Sequence, residues 1–442
     1  MAFFLRSFDF FVNGRFLVGG AGPNVFFGGF AGDRLDGGGG NDILHGLRGN
    51  DLLIGGAGAD VIFGGSGDDT VVADTEDLLL NGGRDGNGAV ADTNNGDTLD
   101  LSDVAEGVFV DLDINFAGAP NPGLSQEGAV RNIGVVSGGP ETFNIRAVDF
   151  ENVIGTEFAD RLFGNAEANV LEGRGGDDVF HAFAGNDIYD GGEGVDTALF
   201  VQAAVGIVAD LAAGTVEAGP DLNTLIDIEN LTGGVFGDVI LGDAAVNALS
   251  GNGGSDVLNG REGEDVLTGG EGSDSFLFDA SGIDGGLQDS ITDFETGVGG
   301  DAFHLDFAAF GVAADTVSFD AIDATEALAG TPTGTELDGA NVIVLLNTDD
   351  DGDAATAFNA RSAAQQIAEL TEEDGAGFFV YFNSGLGVNR LVRSEDLNDG
   401  DAGLEIIARL DDIEAGDLAA AEAQLDAFVA ENFSFDTSLD FV

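Results

Sequence analysis

The sequence contains neither cysteine nor lysine. Without cysteine there is no disulfide framework and no thiol nucleophile, so stability outside a cell has to come from another source. Without lysine there is no Schiff-base chemistry and no P-loop. Basic residues are scarce altogether: all 14 are arginine, against 81 acidic residues, and the formal net charge is −67 over 442 residues. Such a charge excludes nucleic acid as a natural partner and disfavours anionic membrane surfaces except through bridging divalent ions. H-E-x-x-H and G-x-S-x-G are both missing, which removes the familiar zinc-protease and serine-hydrolase signatures. No apolar run is long enough to span a bilayer, so membrane insertion is not expected. Residues 1–18, MAFFLRSFDFFVNGRFLV, do not read as a secretory signal: Arg6, Asp9, Asn13 and Arg15 interrupt them and no small-residue cleavage site follows. The alternation of Phe8, Phe10 and Val12 suits capping strands, with self-association as the sharper alternative.

What the chain has instead is glycine, aspartate and a period. From Gly19 to Val72 nine residues repeat six times, most clearly in Gly37–His45, Gly46–Ile54 and Gly55–Phe63. Five more copies begin at Gly155 and five at Gly233. The sixth position is Asn24, Asp33, Asp42, Asp51, Asp60 and Asp69 in the first block, Asp160, Asn169, Asp178, Asp187 and Asp196 in the second, and Asp238, Asn247, Asp256, Asp265 and Asp274 in the third. The eighth is apolar in every copy, which a disordered glycine-rich tract would not explain. Glycines at the first, second and fourth positions permit positive φ and close backbone approach. The three residues after the acid suit a short strand with its middle side chain facing inward. A turn and a strand, repeated, wind into a parallel β solenoid with two nonapeptides per coil.

Residues eighteen apart then stack, pairing 24/42, 33/51, 42/60 and 51/69 in the first block at roughly the 4.8 Å spacing of neighbouring strands. Two carboxylates at that distance repel by on the order of 3 kcal/mol at an effective dielectric of 20. A column of them calls for a cation. Carboxylates and turn carbonyls without thiolates or clustered imidazoles suit a hard ion of flexible coordination, and calcium fits better than zinc or magnesium. His45 and His181 fall on the ninth repeat position and His304 stands alone, so neither a zinc site nor a histidine-centred triad is suggested.

These nonapeptides closely resemble the calcium-binding repeat G-G-x-G-x-D-x-U-x of the RTX family, U being a large apolar residue. The resemblance implies an all-β fold, a right-handed parallel β-roll, with the sixteen sixth-position residues as metal ligands for about ten calcium ions. The acylated lysine of pore-forming RTX toxins has no counterpart here. The spans between blocks, with Asp97–Ser102, Gly107–Leu112 and Phe150–Gly155 in the first and Asp196–Phe200, Gly206–Leu211 and Ile228–Gly233 in the second, are similar to the linking units of secreted RTX proteins, including those behind serralysin proteases. The opening repeats of the second and third blocks carry Phe158, Glu167, Phe236 and Ala245 where glycine is expected, which weakens the case for metal there. Acidic turns at Asp85–Gly88 and Asp92–Asp97 offer ligands for an extra ion, but solvated loops are the favoured reading there. Asn347–Gly352 copies half of an EF-hand loop, but Phe358 stands where the bidentate glutamate belongs.

The chain accordingly divides into capping strands (1–18), a first block (19–72), a connector (73–154), a second block (155–199), a connector (200–232), a third block (233–277), a closing flank (278–310) and a smaller α/β cap (311–442). Strands are expected at Asn341–Leu346, Phe378–Phe382, Arg390–Arg393 and Leu404–Leu410. Helices are expected near Ala357–Leu370 and Asp417–Glu431, the second carrying an apolar stripe of Leu418, Ala421, Leu425, Phe428 and Val429 that packs on those strands. Tyr381–Val392 and the ending Phe433–Val442 are similar to the C-terminal regions and uncleaved signals of RTX proteins exported by type I systems. The expectation is a secreted, extracellular or cell-surface calcium-binding protein without enzymatic activity, serving a surface layer, matrix or adhesion. Its partners would be calcium, the type I secretion apparatus, and itself or cell-surface polysaccharide. The alternatives are a hydrolase with its active site in 311–442 and a ligand-binding adhesin.

Overall fold

The structure, a computed structural model, describes residues 14–74, 76–83, 96–105, 107–112, 131–135, 145–148, 150–278 and 289–305. Further on it describes 319–322, 342–345, 360–370, 376–383, 388–394, 397, 404–410, 423–425, 427–428 and 432–434. The Phe8 alternation, the turns at 85–88 and 92–95, the sequence at 347–352 and most of the ending 433–442 lie outside the described residues. The chain forms two units, Met1–Ala203 with Gly214–Asn230, and Ala204–Ala213 with Leu231–Val442.

In the first unit the nonapeptides make two parallel ladders. One joins Phe16–Val18, Arg34–Asp36, Leu52–Ile54 and Thr70–Val72, with Arg34 opposite Leu52 and Leu52 opposite Thr70, the eighteen-residue register expected. The other joins Val25–Phe27, Ile43–Arg48, Val61–Ser66 and Leu79–Asn81. The middle residues face inward: Leu35, Leu53 and Val71 form one fully buried column, and Leu44, Ile62 and Leu80 another. The ladders continue where the repeat lapses. Thr70 pairs with Thr98, Thr98 with Asn152 and Asn152 with Val170, so the connector loops out between rungs and returns to them. Its outlying strand Arg131–Val135 runs antiparallel to both Val108–Asp111 and Ile145–Val148.

The turns explain the glycines. Backbone φ is positive at the second and fourth positions, as at Gly56 (85°) and Gly58 (123°), and even where the second residue is not glycine, as at Leu47 (83°) and Arg174 (78°). The first-position glycine serves close approach instead. A Cβ on Gly55 would lie 2.6 Å from a carboxylate oxygen of Asp60 in its own repeat.

In the second unit Ile207–Asp210, Val239–Leu241, Val257–Asn259, Ser275–Phe278, Ala302–Leu305 and Phe433–Ser434 form one parallel ladder. Ala248–Gly253, Val266–Glu271, Asp289–Ile291 and Leu404–Leu410 form the other. Leu404–Leu410 then pairs antiparallel with Val388–Ser394, and that with Gly377–Asn383, the expected cap strands. The helix Ala360–Leu370 lays Ala363, Ala364 and Ile367 against Ile343, Phe379, Tyr381 and Val392. Of the second expected helix only residues 423–425 and 427 are described as helical. Its Phe428 packs on Phe294 (5.6 Å) and Phe433 (5.7 Å), so its described part reaches the end of the roll rather than the cap strands alone. Phe294 in turn stacks on Phe303 (4.4 Å), which follows Phe276 in the inward apolar column and is itself followed by Phe433.

Because each rung buries little more than one apolar side chain, a single truncation in a column should register strongly. Leu53→Ala should cost about 2–5 kcal/mol in denaturant melts at saturating calcium, whereas Ile54→Ala on the outer face should cost under about 1 kcal/mol.

Candidate metal centre

The sixth-position residue closes each turn and begins each strand, which places its carboxylate at the same height on every coil. One oxygen of each acid accepts a backbone N–H one coil earlier, from Arg15, Val108 and Ile207 for Asp33, Asp160 and Asp238 and from the preceding sixth-position residue further along each column. Asp33 N–H donates to Asp51 Oδ1 at 2.7 Å, Asp42 to Asp60 at 2.6 Å and Asp51 to Asp69 at 2.8 Å. The same bond joins Asp160 to Asp178, Asn169 to Asp187, Asp178 to Asp196, Asp238 to Asp256, Asn247 to Asp265 and Asp256 to Asp274. Acids eighteen apart are thus brought together as expected, and the column is stapled by main-chain donors.

The second oxygen separates the copies. Oδ2 of Asp42, Asp51, Asp60, Asp178, Asp196, Asp256, Asp265 and Asp274 is buried without a hydrogen-bond partner. An unsatisfied buried carboxylate oxygen is expensive, so these atoms mark places for a cation. Elsewhere the oxygen is taken. Asp33 Oδ2 accepts the Gly29 N–H, Asp160 Oδ2 that of Thr156 and Asp238 Oδ2 that of Gly234. In the second and third blocks this happens in the opening repeats that carry Phe158 and Phe236 for glycine. Asp187 Oδ2 accepts the hydroxyl of buried Tyr189 at 2.9 Å. The three asparagines bring a donor of their own: Asn24 Nδ2 donates to Asp42 Oδ1 and Asn169 Nδ2 to the Glu151 carbonyl, while Asn247 Nδ2 donates to Asp243 Oδ1.

Burial dominates the electrostatics. It raises Asp51 to about 7, with repulsion from Asp33 adding to it, and Asp178 to about 8, with Asp160 and Asp196 contributing. Burial likewise carries Asp60, Asp196, Asp256 and Asp265 to about 6 and pushes Asp274 upward. Among the described residues positive charge is supplied at few places. Arg261 forks onto both oxygens of Asp210 at 2.7 and 2.8 Å and also reaches the Gly242 carbonyl, and Arg174 pairs with Glu157 at 2.6 Å. The histidines do not enter the columns: His45 stacks between Phe27 and Phe63, and His181 on Phe163.

Some rungs carry acids that the nonapeptide pattern does not reach. Asp77 accepts the Asp60 N–H, Asp97 that of Asp69, Asp289 that of Asp265 and Asp301 that of Asp274. Asp97, expected in a solvated turn, is 1% exposed, because Thr98 enters the ladder opposite Thr70 and carries its neighbour inside. The sequence signal shared by these four was an Asp with an apolar residue two positions on (Leu79, Leu99, Ile291, Phe303), without the full glycine pattern of the nonapeptide.

The family model described as RTX calcium-binding nonapeptide repeat (4 copies) matches residues 16–44, 36–71, 154–182, 163–198, 227–258 and 241–276. The chain thus carries RTX-type calcium-binding nonapeptide repeats in three stretches between residues 16 and 276. A comparison with curated proteins returned no match. RTX repeats bind Ca2+ and fold as a parallel β-roll, in line with the ladders above. They are not an enzymatic fold, although enzymes can carry them. The donor set of these repeats fits the ion. Among the described residues no three acidic or imidazole side chains converge on one point. A cation here would therefore draw on carboxylates of successive coils together with turn carbonyls, which suits calcium's preference for many oxygen ligands.

The raised carboxylates fix the sign of a pH effect. In chelator the folded chain binds more protons than the unfolded chain, whose aspartates titrate near 3.8. Their contribution to stability is therefore fully present below about pH 4 and lost as pH rises through 6 to 8. Any residual strand structure of the chain in chelator should therefore be greater at pH 5 than at pH 8, as circular dichroism at the two values would show. Calcium affinity should move the opposite way and weaken as pH falls from 8 to 6, which calorimetry at both values would show.

Proposed function

We propose that this chain is exported unfolded and folds outside the cell when calcium fills its acid columns, and that the folded roll serves as a structural component of a surface layer, matrix or adhesive coat. RTX repeat proteins are typically secreted, and no described helix is long and apolar enough to cross a membrane. The observation that carries the proposal is the set of buried Oδ2 atoms without partners on Asp42, Asp51, Asp60, Asp178, Asp196, Asp256, Asp265 and Asp274. Calcium is assigned to these positions first. Asp33, Asp160, Asp187 and Asp238, whose second oxygen is already held, bind more weakly or not at all, and the asparagines 24, 169 and 247 act as neutral spacers.

With dissociation constants near 1 mM, about 10 mM calcium contributes about 1.4 kcal/mol per site, and micromolar calcium contributes almost nothing. A chain of net charge −67 with its acids unneutralised would stay open in the cytosol, as passage through a narrow type I channel requires, and close on emergence. The activity assigned is binding and assembly rather than catalysis, with itself or cell-surface polysaccharide as partner.

Circular dichroism of the purified chain in chelator, followed by calcium titration, tests this. The expected result is a disordered spectrum that converts cooperatively to strand in millimolar calcium, with magnesium at the same concentration unable to substitute. A strand-rich, cooperatively melting protein already present in chelator would contradict it.

A further inference from the structure

The last family match ends at residue 276, but the acid columns do not. Beyond the third block the chain makes one more coil without the nonapeptide pattern. Val266 lies opposite Ser290 and Ser275 opposite Ala302, so Asp289 stands over Asp265 and Asp301 over Asp274. The stapling bonds are kept: Asp289 Oδ1 accepts the Asp265 N–H at 3.2 Å and Asp301 Oδ1 the Asp274 N–H at 2.8 Å. Both newcomers are buried, at 3% and 2% exposure. The acids beneath them, each 1% exposed, hold an Oδ2 with no hydrogen-bond partner. Asp293 lines the same final turn, its two oxygens accepting the N–H groups of Gly269 and Gly270. The columns stop one step later, where Ala408 lies opposite Asp289 and Asn432 donates to the Asp301 carbonyl.

Resting on the calcium reading of the repeats, we propose that Asp289 and Asp301, outside the nonapeptides, complete two further divalent-cation sites with Asp265 and Asp274 at the exit of the third block. A buried carboxylate stacked on another whose oxygen is unpartnered is costly unless a cation joins them. Calcium is the class of ion that suits carboxylates and turn carbonyls of two successive coils. The second oxygen of Asp301 accepts the Glu295 N–H at 2.7 Å, as that of Asp238 accepts the Gly234 N–H at the opening of the block, so in this pair the open oxygen is the one on Asp274. Metal in the third block is accordingly displaced one coil toward the C-terminus of the repeats that the sequence marks.

The test is the ion count of the full-length chain by equilibrium dialysis against calcium, for Asp289→Asn and Asp301→Asn, with Asp51→Asn as reference. Asparagine keeps the Oδ1 acceptor of the staple and removes the charge. Each exit variant is expected to fold and to bind about one ion fewer, as is Asp51→Asn. Full counts in both exit variants, with a loss in Asp51→Asn, overturn the proposal alone. A full count in Asp51→Asn as well refutes the calcium reading of the repeats and the proposal with it. Where an asparagine variant does not fold in saturating calcium, Asp289→Glu or Asp301→Glu decides. Folding of the glutamate variant with the full count supports the site, and failure of both substitutions assigns the defect to packing and overturns it.

Discussion

A buried aspartate with one oxygen satisfied and the other not is the constraint on which the rest of this molecule depends. The Oδ1 bond from each acid to the N–H one coil earlier holds successive turns in register, and it recurs from Asp33–Asp51 to Asp274–Asp301. The unpartnered Oδ2 makes that arrangement unstable by itself. The apolar columns cannot compensate freely, since each coil contributes only one inward residue per strand, such as Leu53 or Ile62. The first-position glycines follow from the same atom: Oδ2 of Asp60 lies 2.6 Å from where a Cβ on Gly55 would be, too close for one. Packing, turn shape and ion requirement are three consequences of placing the acid at the end of the turn.

Where the chain departs from the pattern, it satisfies Oδ2 by other means. Tyr189 reaches back two residues to Asp187, and burial together with the Asp187 charge pushes its hydroxyl well above its ordinary value, so it stays a donor. Thr156 and Gly234 offer main-chain N–H groups to the first acids of the second and third blocks. Arg261, at a left-handed second position (φ 69°), brings a guanidinium to Asp210 and the Gly242 carbonyl. The outer faces of the strands are less constrained. They carry aromatic stacks such as Phe27–His45–Phe63, with centroids 4.9 Å apart, in which histidine acts as a flat ring.

The solenoid was legible in the sequence because its period is also its geometry: eighteen residues separate Arg34 from Leu52 in both. The sixth-position acids were legible for the same reason. Asp77, Asp97, Asp289 and Asp301 were not, since loops between coils change their distance from the preceding acid to 17, 28, 24 and 27 residues. Pairing restores the register that spacing conceals. The difference between Asp178 and Asp187 was hidden as well. The repeat of Asp187 already has Ala182 and Phe183 in place of its first two glycines, but Tyr189, at a position read simply as apolar, gave no sign that its hydroxyl would hold Oδ2. The cap strands and the helix Ala360–Leu370 followed from ordinary periodicity, but Phe428 meeting Phe294 depends on a long-range contact that no local pattern encodes.

The central claim is that calcium occupies the places left by unpartnered Oδ2 atoms rather than every acid of the repeat. The most direct measurement is the anomalous-scattering map of the chain crystallised in calcium. Ion peaks are expected against Asp51, Asp60, Asp178 and Asp256 and none against Asp187, where Tyr189 holds the oxygen. Equal peaks at Asp187 and Asp178, or carboxylates of these columns turned into solvent with ions bound elsewhere, would contradict it.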